Sequence, residues 1–163
     1  MTTQQLPLDQ TDKPKILVIE DNADQWFIIQ WALRQRLSEV EPIWIADANE
    51  ALVYLETCLE QLLDLPRLIL LDLYLPNDKI GLKTLQLLKK PDKLYHDIPV
   101  IVLSQLSTKA NINACYERGA NSYVTKPTTH QQWLDCFANF RAYWWNQVEL
   151  PDLTRWTVNP RSA

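Results

Sequence analysis

Four short apolar runs divide the chain: 16–19 (ILVI), 68–71 (LILL), 100–103 (VIVL) and the weaker pair Tyr123 and Val124. None alternates with polar positions. Strands buried on both faces have this pattern, and parallel sheets covered by helices are built from them. A fifth candidate, 43–46 (IWIA), lies between the first two. Helical patterns fill the gaps. A helix from Asp24 to Leu37 places Phe27, Ile28 and Trp31 near one face, with Leu37 at its end. Asp47, with Glu50 three residues on, opens a second helix by a capping-box pattern, and Ala51, Leu52, Leu55 and Leu59 form its apolar stripe. Leu82 to Lys89 is a short helix ended by Pro91, and 77–81 ahead of it reads as a turn. Ser107 or Thr108 caps a helix running to Arg118, where Gly119 suits the left-handed position after a helix. The last helix starts at Thr128 or Thr129 and runs to about Val148, before Pro151. Its residues Trp133, Phe137, Phe140 and Trp144 recur as a core stripe, which leaves Tyr143 and Trp145 outside. Strand and helix alternate five times. That order predicts a doubly wound α/β fold with right-handed crossovers and helices on both faces of the sheet.

Length and composition narrow this further. The 163 residues fit one domain, expected over 15–148, with a flexible segment 1–14 before it and a tail 149–163 after it. A 47% apolar and 22% charged composition is that of a globular chain. A net charge of −4 argues against non-specific nucleic-acid binding, which needs a basic footprint. With only two glycines, Gly81 and Gly119, neither a dinucleotide fingerprint nor a Walker loop can be assembled. His96 and His130 lack partners at metal-ligand spacing, so a structural zinc site is not expected. Cys58, Cys115 and Cys136 are odd in number, without a CxxC pair, and read as reduced thiols packed in helices. No apolar run approaches the ~18 residues of a membrane span, and residues 1–14 have no signal-like core. A cytoplasmic protein is expected. The run 89–93 (KKPDK) reads as a solvated basic loop.

In open α/β sheets, chemistry gathers at the carboxyl ends of the strands. The first run ends in Glu20 and Asp21, the third in Asp72, the fourth in Ser104, and the fifth in Lys126 followed by Pro127. The intervals agree: Asp21 to Asp72 is 51 residues, Asp72 to Ser104 is 32 and Ser104 to Lys126 is 22. These are two units and then one unit each of a βαβ repeat of roughly 30 residues. Three acids, a hydroxyl and an ammonium are therefore expected on one edge. Two unit charges 4 Å apart repel by about 4 kcal/mol at an effective dielectric of 20. A cluster of three carboxylates needs a counter-ion, and hard oxygen donors favour Mg2+. Asn22, next in line, is expected to cap the first helix.

The stretches 15–22 (KILVIEDN), 70–76 (LLDLYLP), 99–104 (PVIVLS) and 119–127 (GANSYVTKP) together resemble the receiver domain of two-component response regulators. The resemblance covers about residues 15–148. The segments 121–127 (NSYVTKP) and 143–145 (YWW) are similar to one subgroup, the single-domain regulators that partner phytochrome-type histidine kinases in cyanobacteria. The resemblance implies a flavodoxin-like five-stranded parallel sheet of strand order 2-1-3-4-5. It implies that Asp72 is the phosphoacceptor, taking a phosphoryl group from a histidine kinase. Asp21 and Asp72 then bind Mg2+ directly, Glu20 through water, and Tyr74 through its backbone carbonyl. Lys126 neutralises the transferring oxygens, Ser104 turns to bond the phosphoryl group, and Tyr123 moves into the space left. It also implies a cis Lys126–Pro127 bond. The chain departs from the family pattern at Gln105, where a small residue is usual, at the bulky Tyr74, and at Ile80–Gly81 in place of an Asp-Gly turn. Gln105 and Tyr74 suggest shielding of the phosphate and slow self-dephosphorylation.

With no output domain expected, signalling must run through contact with a downstream protein. The aromatics Tyr143, Trp144 and Trp145 suggest a homodimer through the fourth helix, fifth strand and fifth helix. The alternative for them is packing beneath Trp156. Three rival functions remain. One is a receiver-like interaction module that works without phosphorylation. A phosphatase of the haloacid-dehalogenase type needs a second acid two residues after its nucleophile, where Tyr74 stands. A flavodoxin-type cofactor protein needs small and hydroxyl residues where Glu20 and Asp21 stand.

Overall fold

A computed structural model describes residues 13–146 and 149–151. The elements run β1 (Lys15–Ile19), α1 (Ala23–Arg36), β2 (Glu41–Ile45), α2 (Ala48–Glu60), β3 (Leu68–Asp72), α3 (Asp78–Leu88), β4 (Val100–Ser104), α4 (Lys109–Glu117), β5 (Ser122–Thr125) and α5 (His130–Phe140). A 3-10 turn, Leu94–Asp97, precedes β4, and a π-helical turn, Arg141–Trp145, follows α5. All strand pairs are parallel, in the order β2-β1-β3-β4-β5, as expected.

The absence of alternation in the apolar runs has its cause in the layering. Leu17, Ile19, Ile69 and Leu71 point into a core with Ala51 and Leu55 of α2 and Leu85 and Leu88 of α3. Their neighbours Ile16, Val18, Leu68 and Leu70 point into a second core with Ile29 and Leu33 of α1 and Trp133 and Phe137 of α5. In these two strands each residue therefore meets a helix whichever way it faces. Side chains at the helix starts close the backbone. Asn22, Asp47, Asn77, Thr108 and Thr129 each accept from an N–H of the following turn, a contact worth about 1 kcal/mol per helix. Gly119 takes φ +94°, the left-handed position expected of it.

Expectations about three helices and one loop are corrected. On α1 the buried residues are Trp26, Ile29, Ala32 and Leu33, with Leu37 beyond the end, whereas Phe27 is 65% exposed, Trp31 38% exposed and Ile28 half-buried. Two stripes one residue apart both have helical period, about 100° round the axis from each other, and only the sheet decides between them. Helix α3 starts at Asp78, because the Asn77 side chain accepts the Ile80 N–H at 3.0 Å, so 77–81 is its cap and first turn. Helix α5 gives way after Phe140 to a wider π turn, which brings Trp145 as well as Trp144 half-buried against the α1–α5 core, while Tyr143 stays 55% exposed as expected. The expected end at Val148 and the Trp156 tail lie outside the described residues. The run 89–93 is not simply solvated. Lys89 Nζ donates to the carbonyls of Ile98 at 2.7 Å and His96 at 3.2 Å, and Lys93 pairs with Glu56 at 2.7 Å. Burial lowers the Lys89 pKa to about 8. Cys58 and Cys115 are buried, Cys136 is half-buried, and all three are free thiols. Among the described residues, no helix is long and apolar enough to cross a membrane.

Candidate functional site

Strand register fixes where the polar residues land. Ile19 pairs with Leu71, Asp72 with Leu103, and Ser104 with Thr125. The residues that end these strands or follow them, Glu20 and Asp21, Asp72, Ser104, and Lys126, therefore share one rim. The acids and Lys126 meet in an open cleft of about 370 Å³ lined by Glu20, Asp21, Asn22, Gln25, Asp72, Tyr74, Gln105, Leu106 and Lys126, with Ser104 beneath Leu106 just outside the lining.

The carboxylates converge as the intervals predicted: one oxygen each from Glu20, Asp21 and Asp72 lie within 4.8 Å of one another. Glu20 and Asp72 are buried and Asp21 is exposed. Lys126, also buried, stands over them, with Nζ 2.7 Å from Glu20 Oε2 and 3.4 Å from Asp72 Oδ1. The ammonium enters from the strand end. The Lys126 backbone N–H donates to the Ser104 carbonyl at 2.8 Å, carrying the β4–β5 pairing one residue past the strand. The expected cis Lys126–Pro127 bond is not found. The lysine reaches the cluster across a trans bond, and among the described residues the cis bond is Leu75–Pro76.

Desolvation pushes the Glu20 carboxyl up from its ordinary 4.5 to about 7, against the opposing pull of Lys126 and with some help from Asp72. Its Oε1 accepts the Asn22 N–H at 3.1 Å. Asp72 Oδ1 accepts the Tyr74 N–H at 3.2 Å, which turns the chain after β3 over the carboxylate. An all-oxygen donor set of three carboxylates suits a hard divalent cation, so the residues present fit the Mg2+ that the sequence calls for.

Beside the acids, Ser104 is buried, and its Oγ accepts the Leu106 N–H at 3.2 Å. The half-buried Tyr123 donates its hydroxyl to the Leu106 carbonyl, and burial raises its pKa. Ser107 Oγ and Thr125 Oγ1 hydrogen-bond across the same loop. The segment between β4 and α4 is thus tied to β5 by two side-chain contacts.

The geometry also brings in residues that the sequence did not single out. Gln25, one turn into α1 past Asn22, and Leu106, two residues past Ser104, line the cleft. Trp44 of β2 donates Nε1–H to the Glu20 carbonyl at 2.7 Å and stacks on Trp26, ring centroids 5.4 Å apart and 10° from parallel. Gln25 was findable from helical spacing. A cross-strand indole reaching a main-chain oxygen leaves no motif.

Comparison with known proteins agrees with this picture. A family model for the response regulator receiver domain matches residues 16–137. The chain is 32% identical over 147 residues to the probable methanogenesis regulatory protein FilR2 of Methanothrix harundinacea, covering 88% of this chain and 93% of that one. It is 31% identical over 145 residues to response regulator Rcp1 of Synechocystis, covering 88% and 97%. The Mn2+-bound form of Rcp1 superposes with a TM-score of 0.72 at 30% identity, over 85% of this chain and 99% of that one. The phosphorylated cyanobacterial phytochrome response regulator RcpA superposes with a TM-score of 0.75 at 32% identity, over 86% and 99%. With the 2-1-3-4-5 sheet and acids, hydroxyl and lysine on one rim, these similarities place the chain in the response regulator receiver domain family.

Proposed function

We propose that the chain accepts a phosphoryl group on Asp72 from the phosphohistidine of a histidine kinase and signals by contact with a further protein. The observation that carries this is the meeting of the Asp72 carboxylate with Asp21, Glu20 and the buried Lys126 ammonium in one solvent-open cleft. In the transfer, an Asp72 oxygen attacks phosphorus while the P–N bond breaks and its electron pair returns to the imidazole nitrogen. Lys126 shifts from Glu20 toward the phosphoryl oxygens, where a compact ammonium balances their charge. Asp21 and Asp72 would hold Mg2+ directly, Glu20 through water and Tyr74 through its carbonyl, and the cation when bound neutralises the negative charge on the transferred group. Ser104 donates its hydroxyl to the phosphoryl group on Asp72. Tyr123 then leaves Leu106 for the space the serine vacates, repositioning the segment between β4 and α4. Taking such a two-state switch from 1:99 to 99:1 requires ~5.5 kcal/mol of differential binding, within reach of a few charge-assisted hydrogen bonds.

Tyr74 and Gln105, both exposed at the cleft rim, shield the aspartyl phosphate from water and make self-dephosphorylation slow. The likeness to RcpA, a cyanobacterial phytochrome response regulator, supports a phytochrome-type histidine kinase as the donor, and that partner implies a cytoplasmic protein. Treatment with acetyl phosphate tests the core of this. One phosphoryl group is gained in intact mass in the presence of Mg2+, and none without the metal or in Asp72→Asn. A wild-type chain that gains no mass leaves only the phosphorylation-independent interaction module.

A further inference from the structure

We propose that Trp44 is a positioning residue for the divalent cation, acting through the peptide that joins Glu20 to Asp21. The inference rests on the acid cluster being the cation site. Strand β1 ends at Ile19 and α1 begins at Ala23, so the two acids sit on a connection of three residues. Within it the Glu20 side chain is held at both oxygens, by the Asn22 N–H at 3.1 Å and Lys126 at 2.7 Å. Asp21 is different. Its carboxylate is exposed and, among the described residues, has no hydrogen bond or ion pair of its own. Its place within 4.8 Å of the other two acids is therefore set by its backbone.

The backbone there is held from β2 on both sides of Glu20. The Glu20 N–H donates to the Ile45 carbonyl at 3.2 Å, which continues the sheet ladder. The Glu20 carbonyl is half of the amide plane from which Asp21 hangs, and it takes the Trp44 indole N–H at 2.7 Å. Trp44 lies on an edge strand and is 39% exposed, so burial alone does not hold its ring. The stack on the buried Trp26 of α1 does, at 5.4 Å and 10°. Rotation of the Glu20–Asp21 peptide would break the indole bond and swing Asp21 away from Asp72. The bond thus favours the arrangement in which the acids converge, despite their repulsion.

The test uses the full chain and Mg2+ alone. Titration calorimetry of Trp44→Phe, which keeps an aromatic ring for the stack and removes the donor, is expected to show Mg2+ binding weakened about five-fold, the worth of one net hydrogen bond. Trp31→Phe, remote from the cleft, retains wild-type affinity. In nitrogen-15 spectra of the wild type, the Trp44 indole N–H resonance moves with added Mg2+ and saturates with the calorimetric affinity, while that of Trp31 stays fixed. That readout does not depend on any variant folding, and it reports whether the indole bond lies beside the bound cation. Unchanged affinity in Trp44→Phe, or a Trp44 resonance indifferent to Mg2+, overturns the inference alone. A wild type that binds no Mg2+ overturns the cation site and the inference with it.

Discussion

Glu20 is 1% exposed, carries a carboxyl raised to about 7 mainly by burial, and touches the Lys126 ammonium. An acid raised above its unfolded value of 4.5 binds a proton in the folded chain that the unfolded chain has released. Between these values the native state holds more protons, so stability is full below about pH 4.5 and falls as pH rises toward about 7. The two pKa values bound the effect at about 3 kcal/mol. Urea unfolding in metal-free buffer at pH 5.5 and pH 8 is therefore expected to show greater stability at the lower pH, and Glu20→Gln should flatten the difference. The same slope in both chains would assign it to other groups. Glu39 and Glu56, held low by hydrogen bonds from Arg141 and Lys93, act in the opposite sense and only at more acid pH. At this scale the residues that end the strands were legible, because parallel pairing puts equivalent ends on one rim whatever the loops do. What the sequence could not supply was side-chain reach: that Lys126 lies closer to Glu20 than to Asp72, or that Lys89 turns inward onto two carbonyls.

Helix α3 shows how an element constrains the site beside it. A Cβ built on Gly81 would lie 1.7 Å from the Leu73 carbonyl oxygen, so the first turn of α3 rests on the backbone just after Asp72. Gly81→Ala must push the helix or that backbone aside, and overpacking of this kind costs about 1–3 kcal/mol. Urea denaturation should show a loss at the upper end of that range, with Mg2+ affinity falling too as Asp72 is displaced. A stability within 0.5 kcal/mol of wild type, the scale of an innocuous surface substitution, would mean the contact relaxes freely. The glycine was visible in the sequence, but as part of a turn, since nothing local says that a helix has already begun at Asp78. The boundaries at Asp47, Thr129 and Gly119 were legible because caps and left-handed residues are local chemistry. The buried face of α1 was not. Phe27 and Trp31 carry as much apolar surface as Trp26 and Ile29, and the choice depends on where β1 and α5 pass. The π turn after α5 defeated helical counting by adding a residue to one turn, so that Trp144 and Trp145 both face the core.

At the scale of the whole molecule, the parallel sheet has β5 as one edge, its four residues half-buried or exposed, with α4 and α5 beside it. The elements next to this edge carry exposed apolar side chains, Leu106 before α4, Tyr116 on α4 and Tyr143 after α5, and exposed apolar surface gains from exclusion of water on association. The homodimer expected from the sequence is testable at this surface, where two copies would join about a two-fold axis so that each edge meets its equivalent. The edge also responds to the cleft. Leu106 hangs from Ser104 and Tyr123, and Ser107 from Thr125, so the contacts that the proposed phosphoryl switch would rearrange are the ones holding this segment. Like net charges of −4 oppose pairing and are screened by salt, so dimerisation should strengthen from low to physiological ionic strength. Sedimentation equilibrium is expected to give a dimer constant at least about ten-fold tighter with Mg2+ and beryllium fluoride bound, from a switch of a few kcal/mol. Tyr143→Ala should return it to the unmodified value, as loss of an exposed aromatic anchor costs roughly ten-fold or more. Monomer at high micromolar concentration in both states would remove the second copy from this surface and leave it to a downstream protein of different sequence.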